Sequence, residues 1–411
     1  MLNFVLGIVG VIVILGLMFL LSSDKSKVNY KLIIKCLVIQ FIIALLIVKF
    51  PLGRWLITVI SSVVTTVLDC GKAGLSFVFG SLADASMPTG SIFAISVLAS
   101  IIFVSALVAG LYYVGAINWV VSVVGKAIGK LLGTTQVETF VAVANMFLGQ
   151  TESPLLVSKY LKHMTSSEIA VVLVSGMGSM SATILGGYSA MGIPMEYLLT
   201  ACALVPIGSL MVSKIIYPET EQTKSDMDVK IDSKGGNANL IGAISEGAVN
   251  GMQVSLAIGA SLIAIIGLVE VVDVILRLIN PNLSLSLIFG YVFSLFGYLF
   301  GFKGADARFA GQLLGSKLVL NEFISYGDLG LATPVYLQGV KDIMTARTPL
   351  IMAVMCAGFA NFSSIGICVS GIGALCSEKK GVLAKLALKC MLGGFCVSLL
   401  SAYIISIITA F

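Results

Sequence analysis

The sequence predicts an all-α polytopic membrane protein, with about eight transmembrane helices plus two re-entrant helical hairpins in inverted repeats, and interrupted helices at a binding site. Three observations carry this. The 411 residues are 58% hydrophobic and only 11% charged, with mean hydropathy +1.06, whereas a soluble domain is about a quarter charged. Apolar runs of spanning length recur along the chain. Two further segments place carboxylates, amides and helix breakers among apolar residues, and each is followed by a span with a polar, glycine-marked centre.

A bilayer core of about 30 Å takes about 20 helical residues. Runs of that order lie at about 2–21, 32–49, 91–115, 167–191, 194–216, 253–276, 349–375 and 383–410. The first lacks a basic n-region and a small-residue cleavage site, so it reads as a span and not as a signal peptide. Residues 285–301 are apolar but short and glycine-studded, which fits a surface or partly embedded helix. The segments 54–69 and 118–133 mix Trp, Ser, Thr and Lys with apolar residues and read as interfacial helices. Gly125, Gly129 and Gly133 form a ladder of small residues that permits close helix contact. Residues 218–239 are polar and mixed in charge and read as a flexible loop joining two halves.

Lysines set the orientation. Lys25, Lys27 and Lys31 follow the first span, Lys126 and Lys130 the third, and Lys214, Lys224, Lys230 and Lys234 the fifth; Lys379, Lys380, Lys385 and Lys389 lie between the last two. Placing all of them in the cytoplasm puts both termini outside. The net charge of +5 therefore reports topology, and no nucleic-acid partner is inferred. The eight cysteines show no CxxC pairing and read as small core residues.

Within 137–163, "VETFVAVANMFL" and "PLLVSKYL" are each too short to cross and are separated by "GQTES". Gly149 is expected to end the first helix, and Ser153 with Pro154 to start the second. Non-helical backbone at membrane depth survives only where protein or a cavity surrounds it, so the tip with Gln150, Thr151 and Glu152 is expected to line a cavity. A second hairpin, 304–342, contains "GSKLVLNEFISY". The spans that follow carry "VSGMGSMSATILGG" (174–187) and "CAGFANFSSIGICVSG" (356–371). Thr165 with Glu168 makes a capping box at the start of the first, and the second is expected to start at Thr348–Pro349. Laying Gly176 on Gly358 puts Ser179 on Asn361. Hairpin, interrupted helix and span thus occur twice, from opposite sides. Broken helices at matching places of inverted repeats point to a transporter's midplane site. The organisation read from this is 1–134 (N-terminal spans and interfacial helices, mainly scaffold), 135–216 (first repeat), 217–240 (polar cytoplasmic loop), 241–303 (sixth span and connector) and 304–411 (second repeat).

A carboxylate at bilayer depth costs several kcal/mol unless paired or hydrated. Glu152 and Glu322 sit at corresponding hairpins, with Gln150, Thr151, Asn361 and Ser364 as neighbours in a site. The set offers donors and acceptors but little positive charge, which suits a neutral hydroxyl- or amide-bearing solute. Lys317 either pairs with Glu322 or snorkels to the surface. Asn145 and Ser179, near helix breaks, are oxygen donors of the kind that suit a hard monovalent cation such as Na⁺. An intramembrane enzyme is disfavoured because no Ser–His, Cys–His or metal cluster accompanies the carboxylates. A channel is disfavoured because the polar groups cluster in hairpins.

"GQTESPLL", "GSKLVLNEF" and "GFANFSSIGI", in that order, strongly resemble the concentrative nucleoside transporters of bacteria. That family's signature is roughly G-x-K-x₃-N-E-F-V-A; Gly315, Lys317, Asn321, Glu322 and Phe323 match it, and Ile324 and Ser325 replace Val-Ala. The resemblance implies ion-driven nucleoside uptake by a homotrimer in the lipid of the inner membrane, with a mobile domain built from the hairpin repeats. It implies that Gln150, Thr151 and Glu152 face the base and that Glu322, Asn361 and Ser364 hold the ribose. Gly149, Ile184 and Phe359 would line the pocket. Asn145, Ser179 and the carbonyls of Leu148 and Met180 would bind Na⁺. The matching Asn and Ser favour sodium; a proton-coupled symporter is the alternative, and an ion-coupled transporter of another small neutral solute a further one. No cofactor is expected beyond the coupling ion.

Overall fold

The structure is a computed structural model that describes residues 1–84, 86–87, 92–150, 152–221 and 237–411. Among the described residues it is helical throughout, without a strand. In chain order the helices are α1 (Leu2–Leu20), α2 (Tyr30–Val48), α3 (Pro51–Phe79), α4 (Ser100–Tyr113) and α5 (Ala116–Leu132). The first hairpin is α6 (Gln136–Ala144) with α7 (Ser153–Leu156) and α8 (Ser158–Leu161). A broken helix follows as α9 (Ser166–Gly178) and α10 (Ala182–Ala190), then α11 (Met195–Ile216), α12 (Leu240–Ile279), α13 (Leu285–Val292) and α14 (Ser294–Leu299). The second hairpin is α15 (Gly304–Val319) with α16 (Glu322–Tyr336). A second broken helix, α17 (Arg347–Cys356) and α18 (Phe362–Leu375), leads to α19 (Lys380–Ile408).

Among the described residues, seven helices are long and apolar enough to cross a membrane: α1, α2, Pro51–Ala83, Ala94–Tyr113, Ser166–Ala190, α11 and Ser377–Ile408. The expected seventh span is split between the shorter apolar helices α17 and α18. The expected sixth lies inside α12, whose 40 residues make about 60 Å of helix. The expected interfacial stretch 54–69 is only part of α3, a 29-residue helix. Its length would allow a crossing. Arg54, near its start, pairs with Asp342, beyond hairpin 2, at 2.7 Å, and the turn that follows it at Gly80–Ala83 packs beside Ala94–Leu98, the helical segment just before α4. Of the polar loop, residues 222–236 lie outside the described residues, with Lys224, Lys230 and Lys234.

Contacts define two ends of the bundle. At one, the rings of Phe4 and Phe411 meet at a tilt with centroids 5.3 Å apart, so the termini are neighbours. At the other, Ser23 N–H donates to Ile216 O at 2.8 Å and Lys389 Nζ to Leu21 O at 3.0 Å. Each hairpin closes on itself. In the first, the Glu168 carboxylate accepts from Thr135 Oγ1 at 3.2 Å and from Thr165 N–H at 2.9 Å, so the start and finish of the hairpin meet. In the second, Tyr336 OH donates to Asp306 Oδ1 at 2.8 Å. The first base sits at the Lys389 end, where Lys379 Nζ donates to Met164 O at 2.7 Å. The second sits at the terminus end, where Tyr197 OH donates to Ile343 O at 2.5 Å. The repeats are therefore inverted.

Local chemistry explains the helix ends and amends several expectations. The capping box of Thr165 and Glu168 is present, and Thr135 with Glu138 makes a second one. The first hairpin helix stops at Ala144, five residues before Gly149, because turns at Val143–Met146 and Ala144–Phe147 close it early. The return arm does begin at Ser153–Pro154 but breaks again at Val157. The helix expected from Thr348–Pro349 begins one residue earlier, at Arg347. Of the small-residue ladder, Gly125 and Gly129 face Phe140 and Thr139 of α6, and Gly133 is the left-handed cap of α5, so the ladder seats hairpin 1.

Helices α1 and α2 lie against α19 and α11, with the repeats, whereas α4 lies along α12. Side-chain carbons at Gly247 and Gly251 would fall 2.5 Å from Ala109 Cβ and 2.8 Å from Ile102 Cα, so this pair is held at backbone contact. The short helices α13 and α14 cover α15. Lys214 of α11 ties down the base of hairpin 1: it meets the buried carboxylate of Glu138 and donates to Ser167 Oγ at 2.9 Å.

Candidate functional site

The two hairpin tips and the two helix breaks converge. The breaks cross where Gly358 (φ +95°) faces Gly178; a side-chain carbon on Gly358 would lie 2.5 Å from Gly178 O. Phe359 N–H donates to Ser179 O at 3.3 Å, joining the breaks, and Ala182 N–H donates to Phe147 O at 3.1 Å, joining hairpin 1 to the first. The two downstream half-helices start on side-chain caps: Ser181 accepts from Thr183 N–H, and Asn361 from Ser364 N–H. Asn361 is thus the counterpart of Ser181 and not of Ser179. The register of the repeats shifts by two residues from the one expected, because caps, and not glycines, fix where each half restarts.

From the tip of hairpin 1 a chain of polar side chains runs to the tip of hairpin 2. Gln150 Nε2 donates to Ser364 Oγ at 3.5 Å. Asn361 Oδ1 accepts from Ser364 N–H at 3.0 Å and from Ser363 Oγ at 2.6 Å, and Asn361 Nδ2 donates to Glu322 Oε2 at 3.1 Å. Glu322 Oε1 accepts from Tyr188 OH at 3.1 Å. Gln150, Ser364, Asn361 and Glu322 are all buried, as are Phe359 and Ile184, the latter one turn before Tyr188. A carboxylate offers about four acceptor sites, more than these partners fill, so Glu322 can accept from a further donor.

Glu152 lies apart from this chain. Its carboxylate accepts from the N–H of Gly149 at 3.4 Å and lines a cavity of about 350 Å³, within the range of small-molecule sites. The cavity lies between hairpin 1 and the helices α4 and α12. It runs from Tyr113, Asn237 and Glu246 to Leu148, Glu152 and Thr183. Thr151 lies outside the described residues.

The oxygen donors expected to take a cation gather around the end of α9, each with a partner of its own. Asn145 donates through Nδ2 to Ser175 Oγ at 2.9 Å and accepts through Oδ1 from Ser153 Oγ at 2.6 Å. Ser179 Oγ donates to Gly176 O at 3.2 Å. Leu148 lines the cavity, and Met180 is buried with its sulfur accepting from Tyr326 OH at 3.3 Å. The donor set is neutral oxygen, and Asn145 Oδ1 retains a second lone pair, so it fits a hard monovalent ion. Among the described residues no group of three or more His, Cys, Asp or Glu is placed to hold a metal.

Two participants, Tyr188 and Cys368, are absent from the sequence-based expectations, and a third, Lys317, takes a role other than the expected ones. Tyr188 looks like a core aromatic, although it stands four residues after Ile184 on the same helix face. Cys368, one turn after Ser364, donates its thiol to Gln150 Oε1 at 3.3 Å. Lys317 neither pairs with Glu322 nor snorkels: it is fully buried and donates to the carbonyls of Met355 (3.0 Å) and Ala357 (2.6 Å) and to Ser398 Oγ (2.5 Å).

An all-helical membrane protein whose inverted repeats of hairpin and broken helix meet at one polar centre is a solute transporter by build, and not an enzyme. The chain belongs to the family of Na⁺ dependent nucleoside transporters. That family's C-terminal region matches residues 197–406 and its N-terminal region residues 9–82, and a nucleoside-recognition Gate region matches 94–195. The chain is 35% identical to the nucleoside permease NupC of Helicobacter pylori, over 97% of this chain and 96% of that one. It is 38% identical to an uncharacterized transporter of Haemophilus influenzae, over 97% and 96%. A solved structure of CNTnw in an inward-facing substrate-bound state superposes with TM-score 0.91 at 33% identity, covering 100% of this chain and 98% of that one. An outward-facing CNTnw variant gives 0.92 at 31%, with the same coverage.

Proposed function

We propose that the protein takes up nucleosides by symport with sodium, by an elevator movement of the hairpin-bearing body within a homotrimer in the inner membrane, its lysine-rich end in the cytoplasm. The observation that carries this reading is the unbroken polar chain from Gln150 through Ser364 and Asn361 to Glu322, set between two hairpin tips at the crossing of two broken helices. Glu322 and Asn361 suit the vicinal hydroxyls of a ribose: the carboxylate accepts from one, and the amide serves the other. Gln150 suits the mixed edge of a base, with Gly149, Ile184 and Phe359 as walls, and Glu152 would meet the base from the adjoining cavity that it lines. The packing of α1 and α2 with the repeats favours a moving body that includes them, against a frame built on α4 and α12. The cavity at Glu152 lies toward the lysine-rich end, which fits an inward-open arrangement.

Sodium at Asn145, Ser179 and the carbonyls of Leu148 and Met180 would order hairpin 1 next to Gln150. It would thereby raise nucleoside affinity, and linkage requires nucleoside to raise sodium affinity equally. The test is uptake of labelled uridine, adenosine and guanosine into proteoliposomes under separate Na⁺ and H⁺ gradients. Sodium should drive uptake. Asn145→Ala should raise the sodium concentration for half-maximal uptake by about tenfold, the loss of one ligand at about 1.4 kcal/mol, with much of the rate returning at saturating sodium. Equal uptake under a proton gradient in sodium-free buffer would instead establish the proton-coupled alternative.

A further inference from the structure

We propose that Lys317 is the resident cation of the second repeat: its ammonium holds the broken end of α17 as a bound sodium ion would hold the broken end of α9. External cation is then needed in one half only. The inference rests on the sodium reading above.

The backbone accounting at the second break leads to Lys317. Helix α17 ends at Cys356, so the carbonyls near that end lack intrahelical partners. The N–H that would serve Met355 O belongs to Phe359 and is given to Ser179 O at 3.3 Å; the one that would serve Ala357 O belongs to Asn361 and is given to Phe359 O at 2.9 Å. Both carbonyls accept from Lys317 Nζ instead, at 3.0 and 2.6 Å. The third acceptor is Ser398 Oγ at 2.5 Å, whose own proton goes to Phe395 O at 2.8 Å. Three acceptors match the three protons of an ammonium, where a neutral amine would turn a lone pair on one of them. The Phe395 ring, 5.3 Å from Nζ, adds a cation–π contact.

The first repeat has the same parts without the charge. Helix α9 also breaks next to the last residues of a hairpin's first arm, but the side chains that meet its end are neutral: Asn145, Ser175 and Ser179. A helix C-terminus carries negative partial charge and favours a cation. One end has its cation attached to α15, and the other has oxygen ligands that suit a mobile one. Hairpin 2 would therefore stay formed through the cycle, while hairpin 1 orders only when sodium arrives. Lys317 is a positioning residue here: its ammonium contacts backbone and Ser398, and it acts through the loop that carries Phe359 and Asn361.

The test uses the full chain in proteoliposomes. Lys317→Ala should lower sodium-driven uptake by about tenfold or more, and added ethylammonium, one carbon shorter than the missing arm so that it clears the alanine methyl, should restore it. At high sodium the variant's uptake should become steeper in sodium, as a second ion enters the vacated place. Wild-type uptake in the variant, or a loss that neither ethylammonium nor sodium reverses in an assembled protein, would overturn the proposal. A measurement on the wild-type protein covers the case in which the variant does not assemble. Hydrogen exchange in sodium against choline should slow over residues 176–182 and stay unchanged over 355–361. Equal slowing in both segments refutes the fixed-cation role while leaving sodium coupling intact. No slowing in either refutes the sodium reading, and this inference with it.

Discussion

Glu322→Gln should weaken nucleoside binding by about 10- to 150-fold while the protein still assembles. The substitution keeps volume and removes charge, and a hydrogen bond to a charged group contributes roughly 1.5–3 kcal/mol, about twice a neutral one. The site can absorb the amide without unfolding. Asn361 cannot turn over, because its Oδ1 is committed to Ser363 and Ser364. It will keep donating to the new side chain's oxygen, which leaves the NH₂ toward Tyr188, whose hydroxyl can rotate and accept. The network survives, and what disappears is the anionic acceptor for a ribose hydroxyl. Calorimetric titration with uridine reads the change. The variant should also lose most of its preference for the parent nucleoside over the 2′- and 3′-deoxy forms. An assembled variant with unchanged affinity would remove Glu322 from the ribose site.

The sequence announces this site through its punctuation. Glycine, proline and carboxylates inside apolar runs marked both hairpins, and the Thr165–Glu168 box marked the start of the first broken helix, because such residues cost too much at depth unless they do something local. Gln150, Glu322, Asn361 and Ser364 were legible for that reason, and the structure links them. Tyr188 and Cys368 were not, since each is an acceptable core residue on a helix and becomes polar in effect only through a partner far along the chain. Lys317 was visible but misread: its acceptors are carbonyls freed by a break 38 and 40 residues later, and no local pattern reports them. The length of α3 was missed because Ser61, Ser62, Thr65 and Thr66 look like an interface, and helix propensity alone does not say where such a helix stops. The grouping of α1 and α2 depends on which neighbours their buried stripes meet, and α1, apolar nearly all round, carries little periodicity to read.

Gly358→Ala should abolish transport, and it should do so more completely than any single polar substitution in the site. Two penalties fall on the same atom. At φ +95° a residue with a side chain is strained by about 1–3 kcal/mol. The added carbon would also lie 2.5 Å from Gly178 O and 2.8 Å from its carbonyl carbon. A flexible neighbour could yield, but Gly178 cannot. Behind it stands Gly394 of α19, whose own side-chain carbon would fall 2.9 Å from Gly178 N, so α9, α17 and α19 are locked backbone to backbone. Relief must come from parting the two breaks. That would pull Phe359 N–H off Ser179 O, carrying Asn361 and Ser364 on one side away from Gln150 and the sodium ligands on the other. Gly366→Ala, eight residues on, is the matched control: it lies exposed in α18 with nothing within 4 Å of the added carbon, and replacing a helical glycine there should stabilise by about 0.5–1 kcal/mol. Sodium-driven uridine uptake and nucleoside-dependent thermal stabilisation should both vanish for Gly358→Ala and persist for Gly366→Ala. If Gly358→Ala transports normally, the broken helices do not meet at backbone contact during the cycle, and a binding centre that depends on that crossing cannot be the one the protein uses.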